Sequence, residues 1–469
     1  MARFLFATFP AAGHTNPGLP IARALVERGH EVTWYAGRGF RRAIEATGAA
    51  FAPIKAAVDP ADVPPNVRFP EAAQLSGLAG FKFGLKHVFL DEAPGQVADL
   101  RAILRSFPAD VLVGDTGFVG MALLHELGGP PWATYGITGL TLPSRDTAPF
   151  GTGLPPSATP LGRVRNRVMT AAFERVLFRD VQDYAQGVRA QLGLPRTRQP
   201  VLSGTLSPFL YMQPTTPDFE YPRSDLPPQV HFIGPLLPEV PRDFTPPPWW
   251  GELHGRRSVV LVTQGTVATK LDDLVIPTLR ALAGEDVLVV AATGGASAEE
   301  VARAWARAGA MDAMRGVTPA MAQLRLGSAE APGPEPLPAN ARVAPFIPFG
   351  ALLPHVDVMI TNGGYGGVQF ALAHGVPLIV AGATEEKPEI AARVAWSGAG
   401  IDLKTGKPSP GQIRDAVRTI RLNRRYRDHA QRIRAAYARH DAPREAAALL
   451  EHRAATGRPV LRGDAALRA

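Results

Sequence analysis

The chain has 469 residues, 46% of them hydrophobic and 20% charged, the composition of a soluble globular protein large enough for two domains. It contains no cysteine, which excludes disulfides and thiolate metal sites, and no apolar run approaches the roughly 20 residues of a membrane span. The formal net charge of +8 comes mainly from arginines scattered along helices. We therefore expect solvated basic faces, no nucleic-acid partner, and a cytoplasmic protein without stable membrane insertion.

The N-terminus predicts a βαβ unit. Residues 3–9 are typical of a buried strand, residues 19–28 have helical spacing that ends at Gly29, and residues 30–36 form the next strand. This order implies a parallel sheet whose ligands bind at the carboxyl ends of the strands. His14 lies in the first loop at that edge. A lone loop histidine is more often a surface or capping residue, although neutral imidazole has the basicity of a general base near pH 7.

A further strand over residues 110–115 ends at Asp115, again at the carboxyl edge. Asp115 precedes a predicted helix over residues 118–127 and is suited to cap it. Aromatic residues cluster in residues 59–91, which contain Phe81, Phe83 and Phe89, and Trp132 follows further along the chain. For any single aromatic residue, ordinary core packing is the more frequent role.

A proline-rich linker over residues 235–256 separates two α/β regions. The second region begins with a strand over residues 257–263, which ends in a turn containing Gly265 and Thr266. Residues 296–339 are interpreted as a peripheral insertion, within which residues 299–308 have helical character. Three helices are predicted over residues 409–422, 426–437 and 443–452, and residues 457–469 are predicted to form a loose tail.

Residues 341–402 carry the most informative pattern. A short apolar strand over residues 356–361 ends in a glycine-rich turn, and a helix over residues 369–374 and a strand over residues 376–380 follow; the turn contains Asn362, Gly363, Gly364, Gly366 and Gly367. Helix N-termini have unpaired backbone N–H groups and a partial positive charge, which suit a phosphate. A tight turn without a ligand is an equally good interpretation of the turn alone.

This stretch resembles the nucleotide-sugar glycosyltransferases of the two-domain GT-B fold, family 1 type, and in particular the bacterial macrolide and antibiotic branch. The residues that match the family signature are Pro345, Phe346, Pro348, Leu352, Leu353, Pro354, His355, Asp357, Thr361, Gly363, Gly364, Gly366, Gly375, Val376, Pro377, Pro388, Ala391, Ala392, Arg393 and Val394. Near the N-terminus, Gly13, His14, Asn16 and Pro17 match a second signature of the family.

The resemblance implies an α/β fold of two Rossmann-like domains that face a cleft. The implied domains are an acceptor-binding domain (1–234), the linker (235–256), a donor-binding domain (257–440) and a C-terminal helix that returns to the first domain, followed by the tail (441–469). The implied activity is inverting, metal-independent transfer of a sugar from a UDP- or dTDP-linked donor to a hydroxyl of a hydrophobic small molecule. No cofactor is implied, and the protein would be a monomer or a homodimer.

The resemblance also assigns roles to residues. His14 would be the general base and Asp115 its hydrogen-bond partner, so Asp115 has two competing interpretations. The donor would be bound by Gly265, Thr266, Phe346, Ile347, Asn362, Gly363, Gly364, Gly366, Gly367, Glu386 and Lys387, with the nucleobase stacked on Phe346. The acceptor would be bound by Phe81, Phe83, Phe89 and Trp132.

Three positions depart from the family pattern. Asn362 replaces a histidine that binds the diphosphate, Gly367 replaces a small hydroxyl residue, and Glu386 with Lys387 replaces an Asp-Gln pair that holds the sugar. Asn362 either binds the diphosphate itself or caps its own turn. Lys387 cannot accept a hydrogen bond as a glutamine does. Two other functions remain open: a GT-B epimerase-like enzyme, and a non-catalytic partner of a glycosyltransferase.

Overall fold

The protein is described from a computed structural model, which covers residues 1–75, 77–265, 270–314 and 336–464. The chain forms two compact units. The first comprises Met1–Pro238, Thr384–Glu389 and Ala435–Ala469, and the second comprises Glu239–Ala383 and Ile390–Arg434. Each unit contains one parallel sheet with helices, which confirms the predicted α/β class.

The first unit is built on a seven-stranded sheet in the order β3-β2-β1-β4-β5-β6-β7. All its neighbouring strands are parallel. The strands are β1 (Arg3–Ala7), β2 (Glu31–Ala36), β3 (Ala50–Pro53), β4 (Val111–Asp115), β5 (Trp132–Tyr135), β6 (Tyr211–Gln213) and β7 (Val230–Phe232).

Nine helices precede the second unit in the chain. They are α1 (Ala12–Thr15), α2 (Leu19–Glu27), α3 (Arg41–Glu45), α4 (Pro65–Arg68), α5 (Gly77–Phe83), α6 (Ala93–Ser106), α7 (Gly120–Glu126), α8 (Pro160–Ala172) and α9 (Arg179–Gln191), among the residues that the structure describes. The region predicted as one long helix over residues 163–191 consists of α8, a π-helical turn (Phe173–Leu177) and α9.

The sequence of β1 explains the position of the sheet in the first unit. Phe4 and Phe6 point to one face and pack in a core with α2, while Leu5 and Ala7 point to the other face and pack against α6 and α7. All four side chains are fully buried. A strand that is apolar on both faces must be covered on both faces, which is the usual situation in a parallel sheet.

The second unit contains a six-stranded parallel sheet in the order β10-β9-β8-β11-β12-β13. Its strands are β8 (Ser258–Thr263), β9 (Val287–Ala292), β10 (Ala341–Ala344), β11 (Val358–Thr361), β12 (Leu378–Val380) and β13 (Gly400–Asp402). The remaining helices of the chain are α10 (Val275–Leu282), α11 (Ala298–Met314), α12 (Phe349–Leu352), α13 (Tyr365–Ala373), α14 (Lys387–Ser397), α15 (Pro410–Leu422), α16 (Arg425–Tyr437) and α17 (Ala442–Thr456). Of these, α17 belongs to the first unit.

The segment interpreted as a peripheral insertion contributes to the core of the second unit. Helix α11 buries Val301, Ala304 and Trp305 in the same cluster as the strand residues Val260 and Val289. The prediction is therefore wrong for α11, because its apolar stripe, at helical spacing, closes one face of the sheet. Residues 315–335 lie outside the described part of the chain.

The predicted loose tail is ordered as far as residue 464. Val460 is fully buried, and its backbone N–H donates to the carbonyl of Phe209 at 2.8 Å. The guanidinium of Arg462 donates to the backbone carbonyls of Leu226, Pro227 and Val230. The prediction missed this because hydrogen bonds to main-chain carbonyls produce no sequence pattern. Residues 465–469 are not described, and no helix in the described ranges is long and apolar enough to cross a bilayer.

Candidate active site

His14 and Asp115 lie where the strand order of the first sheet reverses. Strand β1 is central, with β2 on one side and β4 on the other. The loops that follow β1 and β4 therefore diverge at the carboxyl edge, and such a switch point is where open α/β sheets bind ligands. His14 lies in α1, directly after β1, and Asp115 is the last residue of β4.

The two side chains are hydrogen-bonded. The distance from Nδ1 of His14 to Oδ1 of Asp115 is 2.6 Å. Asp115 is completely buried, whereas the side chain of His14 is 16% exposed. The carboxylate also accepts the backbone N–H groups of Phe9 at 2.9 Å and Gly117 at 2.6 Å. These three donors fix the orientation of the carboxylate.

This geometry sets the tautomer of the imidazole. A carboxylate only accepts hydrogen bonds, so Nδ1 of His14 carries the proton and Nε2 of the neutral ring presents a lone pair. Within the described residues, Nε2 has no hydrogen-bond partner. Helix α7 begins at Gly120 after Val119, so Asp115 does not cap it, and the sequence-based N-cap interpretation is wrong.

Two residues outside the predicted catalytic pair hold the histidine. Tyr135 is buried, and its hydroxyl donates to the backbone carbonyl of His14 at 2.7 Å. Burial, together with the charge of Asp115, raises the pKa of this phenol well above its usual value, so it remains a donor. Gly117 lies so close to the imidazole that a β-carbon there would be 2.5 Å from Cε1 of His14. The Asp-x-Gly spacing after β4 was the available signal.

Of the predicted acceptor-binding aromatics, only Phe89 lies beside the histidine. Its ring centroid is 6.0 Å from that of His14 and 4.7 Å from that of Phe9, which in turn lies 4.9 Å from His14. Phe9 was not predicted. It borders an apolar cavity of about 50 Å³ that is also lined by Tyr35 and Phe118.

The other three aromatics are placed elsewhere in the first unit. Phe81 packs edge-to-face on Phe178, and Phe83 packs on Phe69 and His87.

Trp132 starts β5, pairs in register with Leu112, and is buried against His125 and Phe209. Asp115 pairs with Tyr135, which is at the other end of β5, about 10 Å from Trp132. Trp132 is therefore a core residue and not part of the aromatic set around His14.

The second sheet has its own switch point between β8 and β11. Gly265 follows β8 with a positive φ of 71°, and Asn362 follows β11. The Nδ2 group of Asn362 donates to the carbonyl of Gln264, and its Oδ1 accepts the N–H of Gly364 at 3.4 Å. Asn362 thus joins the two loops and caps its own turn, which is the second of the two roles that the sequence left open. Thr266 lies outside the described residues.

The glycine-rich turn begins its helix earlier than predicted. Gly363 has a φ of 89°, which strongly favours glycine. Helix α13 starts at Tyr365, so Gly366 and Gly367 belong to its first turn and are not in the loop. The N–H groups of a first turn have no intrahelical partner, and Gly366 is exposed. The turn therefore presents backbone donors at the positive end of the helix dipole.

Phe346 and Ile347 follow β10 and differ in exposure. Phe346 is 69% exposed, and a β-carbon on Gly295 would be 3.7 Å from its ring, whereas Ile347 is buried. A polar cavity of about 480 Å³ opens at Gly295 and is also lined by Arg303 and Arg307 of α11. A flat exposed ring beside an open cavity is suited to stack a planar group.

Glu386 and Lys387 lie in the short segment Thr384–Glu389, which belongs to the first unit. Lys387 is buried, and its ammonium group donates to Thr384 and to the carboxylate of Glu385. The ammonium group of Lys387 is therefore bound by residues of its own segment. Burial raises the pKa of Glu386. The segment is anchored by Glu389, whose Oε2 accepts the N–H groups of Gly151 at 3.0 Å and Gly153 at 2.9 Å.

In the described part of the chain, no group of three or more His, Asp or Glu side chains is arranged to hold a metal ion.

Comparison with known proteins gives a consistent family. Residues 321–452 match the family model "Erythromycin biosynthesis protein CIII-like, C-terminal domain". The chain is 48% identical to 4'-demethylrebeccamycin synthase of Lentzea aerocolonigenes, over 96% of this chain and 99% of that protein. It is 33% identical to UDP-glycosyltransferase 2 of Phaeomoniella chlamydospora, over 93% and 92% of the two chains.

Solved structures agree on the fold. The calicheamicin glycosyltransferase CalG4 superposes with a TM-score of 0.66 at 20% identity, over 97% of this chain and 99% of that one. The glycosyltransferase VinC, in complex with dTDP, superposes with a TM-score of 0.64 at 20% identity and the same coverage. Together with the 48% identical relative, which spans nearly the whole chain, these matches place the protein among the antibiotic natural-product glycosyltransferases of the GT-B fold.

Proposed function

We propose that this glycosyltransferase inverts the anomeric centre of a nucleotide-sugar donor, with His14 as the general base toward a hydroxyl of a hydrophobic acceptor. The observation that carries the proposal is the 2.6 Å hydrogen bond from Nδ1 of His14 to the buried carboxylate of Asp115. It leaves Nε2 as the acceptor of a proton, at the carboxyl edge of the sheet.

The reaction would proceed in one displacement. As Nε2 of His14 takes the proton from the acceptor hydroxyl, the oxygen attacks the anomeric carbon from the face opposite the diphosphate. The bond from that carbon to the diphosphate oxygen breaks, and its electron pair leaves with the diphosphate. Asp115 stabilises the imidazolium that forms without itself becoming protonated, as in other His-Asp pairs. A single displacement inverts the configuration.

In the second unit, the glycine-rich turn would meet the charge that grows on the leaving diphosphate. Backbone N–H groups in the first turn of α13 are fixed in place before the reaction, so they stabilise the charge without reorganisation. The exposed ring of Phe346 would stack the nucleobase. A UDP- or dTDP-linked donor is supported by the relative named UDP-glycosyltransferase and by the dTDP complex of VinC.

The surroundings of His14 support an apolar acceptor. Phe9 and Phe89 lie against the imidazole, with ring centroids 4.9 and 6.0 Å from that of His14. Such a surface binds a ring system by burial and leaves orientation to a few polar groups. The complete burial of Asp115 also strengthens its interaction with the imidazolium.

The test is the variant His14→Ala, assayed with nucleotide-sugar donors and a panel of aromatic alcohols. The turnover number should fall by about 10² to 10⁴, while the Kd for the nucleoside diphosphate stays within about twofold, because the glycine-rich turn is untouched. NMR of the product should show inverted anomeric configuration. Turnover within a few-fold of wild type, or a product of retained configuration, would contradict the proposal. Sugar-nucleotide epimerisation without acceptor would favour the epimerase-like alternative.

A further inference from the structure

Helix α8 exposes its apolar side chains to solvent and buries a polar one. The residues that it buries are Gly162 and Asn166. Its apolar side chains point outward: Leu161 is 84% exposed, Val164 60% and Val168 62%. Val176, in the π-helical turn that follows, is 77% exposed. A surface helix normally turns its apolar stripe inward, so this exposed stripe requires an explanation.

The four apolar residues share one face. They are separated by three, four and eight positions, which places them on one side of a helix. Asn166 is buried on the opposite side of the helix. Both ends of its amide are hydrogen-bonded: Nδ2 donates to the carbonyls of Arg145 and Ser157, and Oδ1 accepts from Arg165. The orientation of α8 is therefore fixed by its polar residue, and the apolar face is left outward. We call this face, Leu161, Val164, Val168 and Val176, the α8 stripe.

The charges around the α8 stripe are mainly positive, since residues 161–176 contain four arginines and one carboxylate, Glu174. Helix α8 contains three arginines and no acidic residue. Arg163 is paired with Asp146 at 2.8 Å, but exposed Arg167 and Arg175 form no ion pair within the described residues. Arg179, which follows, is 78% exposed and makes a long ion pair with Asp183, at 3.9 Å, so it adds less free charge than Arg167 and Arg175. The stripe thus combines apolar side chains with free guanidinium groups.

We infer that the α8 stripe docks on the surface of an anionic lipid bilayer. An interfacial helix with valine and leucine on one face and arginine at its margins binds such a surface by burying the apolar side chains among the headgroups. Each arginine adds attraction to the negative leaflet. A second copy of this chain fits less well. An isologous contact would bring two copies of the same mainly positive face together, and Glu174 alone among residues 161–176 could offset the four arginines.

Vesicle sedimentation with the full-length chain tests the inference. The probes are vesicles of phosphatidylcholine alone and of phosphatidylcholine with phosphatidylglycerol, at physiological salt. We expect binding to the anionic vesicles only. The double variant Val164→Gln/Val168→Gln should lower the partition coefficient at least tenfold, and Arg167→Gln and Arg175→Gln should each lower it about fivefold. All variants should keep the wild-type melting temperature, because these side chains are exposed.

Leu422→Gln is the matched control. Leu422 is 86% exposed at the end of α15, far from α8 in sequence and without an apolar stripe, so its variant should bind as wild type does. Absence of binding by the wild type would overturn the inference. Equal binding by the valine double variant would also overturn it, since it would show only the general attraction of a basic protein.

A dimer that the valine variant dissociates, without vesicle binding, would show that a second copy covers the face. Transfer to a water-soluble acceptor should be unchanged in every variant, which keeps this test separate from that of His14.

Discussion

Gly117 lies directly against the imidazole of His14. A β-carbon at Gly117 would be 2.5 Å from Cε1 and 2.8 Å from Nδ1 of that ring, and 2.9 Å from Oδ1 of Asp115. These distances are shorter than any that a real side chain tolerates. The His14–Asp115 pair can therefore adopt its geometry only because the third residue in contact with it has no side chain.

We predict that Gly117→Ala lowers turnover by about 10²-fold, because a displacement near 1 Å of a reacting group costs that much. Affinity for the nucleoside diphosphate should not change. Gly187→Ala is the control, since a β-carbon there meets nothing within 4 Å, and it should leave turnover unchanged. Steady-state kinetics of the two variants decide the matter. Wild-type turnover in Gly117→Ala would show that the position of the ring is not limiting.

A second prediction concerns Asn362, which joins the loop at Gln264 to the turn at Gly364. Asn362→Ala should lower the free energy of unfolding by about 1–3 kcal/mol, because it leaves buried groups unsatisfied. It should also weaken the binding of nucleoside diphosphate, because the glycine-rich turn loses its support. Urea unfolding and calorimetric titration measure the two effects.

The matched control is Asn340→Ala. Asn340 is also buried, and its Nδ2 donates to three backbone carbonyls, those of Leu282, Glu285 and Val287. This variant should be destabilised by a similar amount without a change in affinity. If Asn362→Ala is as stable as wild type yet binds diphosphate weakly, the side chain is a ligand rather than a support.

The pH dependence of stability should reveal the contact between α17 and the start of the chain. Hydrogen bonds from Arg28, at 2.5 and 2.8 Å, outweigh the effect of burial and, with a further one from His30, lower the pKa of Glu451 to about 2. In the unfolded chain this pKa is near its ordinary 4.5. A group whose pKa is depressed on folding contributes stability above its unfolded pKa, and that contribution disappears as the pH falls through the folded value.

Glu451→Gln should therefore be less stable than wild type at pH 7, by about 1–3 kcal/mol, and the difference should shrink between pH 4.5 and pH 2. Unfolding in urea at a series of pH values measures it. The double-mutant cycle with Arg28→Gln isolates the pair from the other titrating groups. A difference that stays constant down to pH 2 would show that the charge of Glu451 does not matter.

The fourth prediction tests the role of α11. Trp305 is buried in the core of the second unit with the guanidinium of Arg280 5.5 Å from its ring centroid. Trp305→Ala should cost about 3–5 kcal/mol of stability. Arg307→Ala, on the exposed side of the same helix, should cost less than about 0.5 kcal/mol. Thermal unfolding compares them, and equal melting temperatures would restore the peripheral interpretation of this segment.

Continuous hydrophobic runs in the sequence made the strands of both sheets predictable. The apolar runs that became β1, β4, β8 and β11 were recognisable because parallel strands covered on both faces are continuously apolar. Because β1 and β4 end at the same edge of a parallel sheet, the sequence also predicts that His14 and Asp115 lie at that edge.

Contacts made through the backbone were not predictable. Gly117 and Tyr135 act on His14 through an absent side chain and a carbonyl, and Arg462 binds three carbonyls. The Asp-x-Gly spacing at residues 115–117 is a signal for Gly117 alone, and the other two contacts leave no period or motif. Trp132 was misplaced because a single aromatic does not reveal which end of its strand it occupies, and that end decides between core and site.

The core of the first unit joins residues from both ends of the chain. Phe4 and Trp34 share one cluster with Ala446, Leu450 and Val460. At 5–20 residues per second, a ribosome needs roughly 20–90 s to reach the last of these. Throughout that time one apolar face of the sheet is covered by α2 but lacks the cover that α17 and Val460 supply, and the second unit has meanwhile been synthesised. The nascent chain therefore needs protection on that face. A chimera that exchanges this unit between enzymes must carry residues 1–238, 384–389 and 435–464 together.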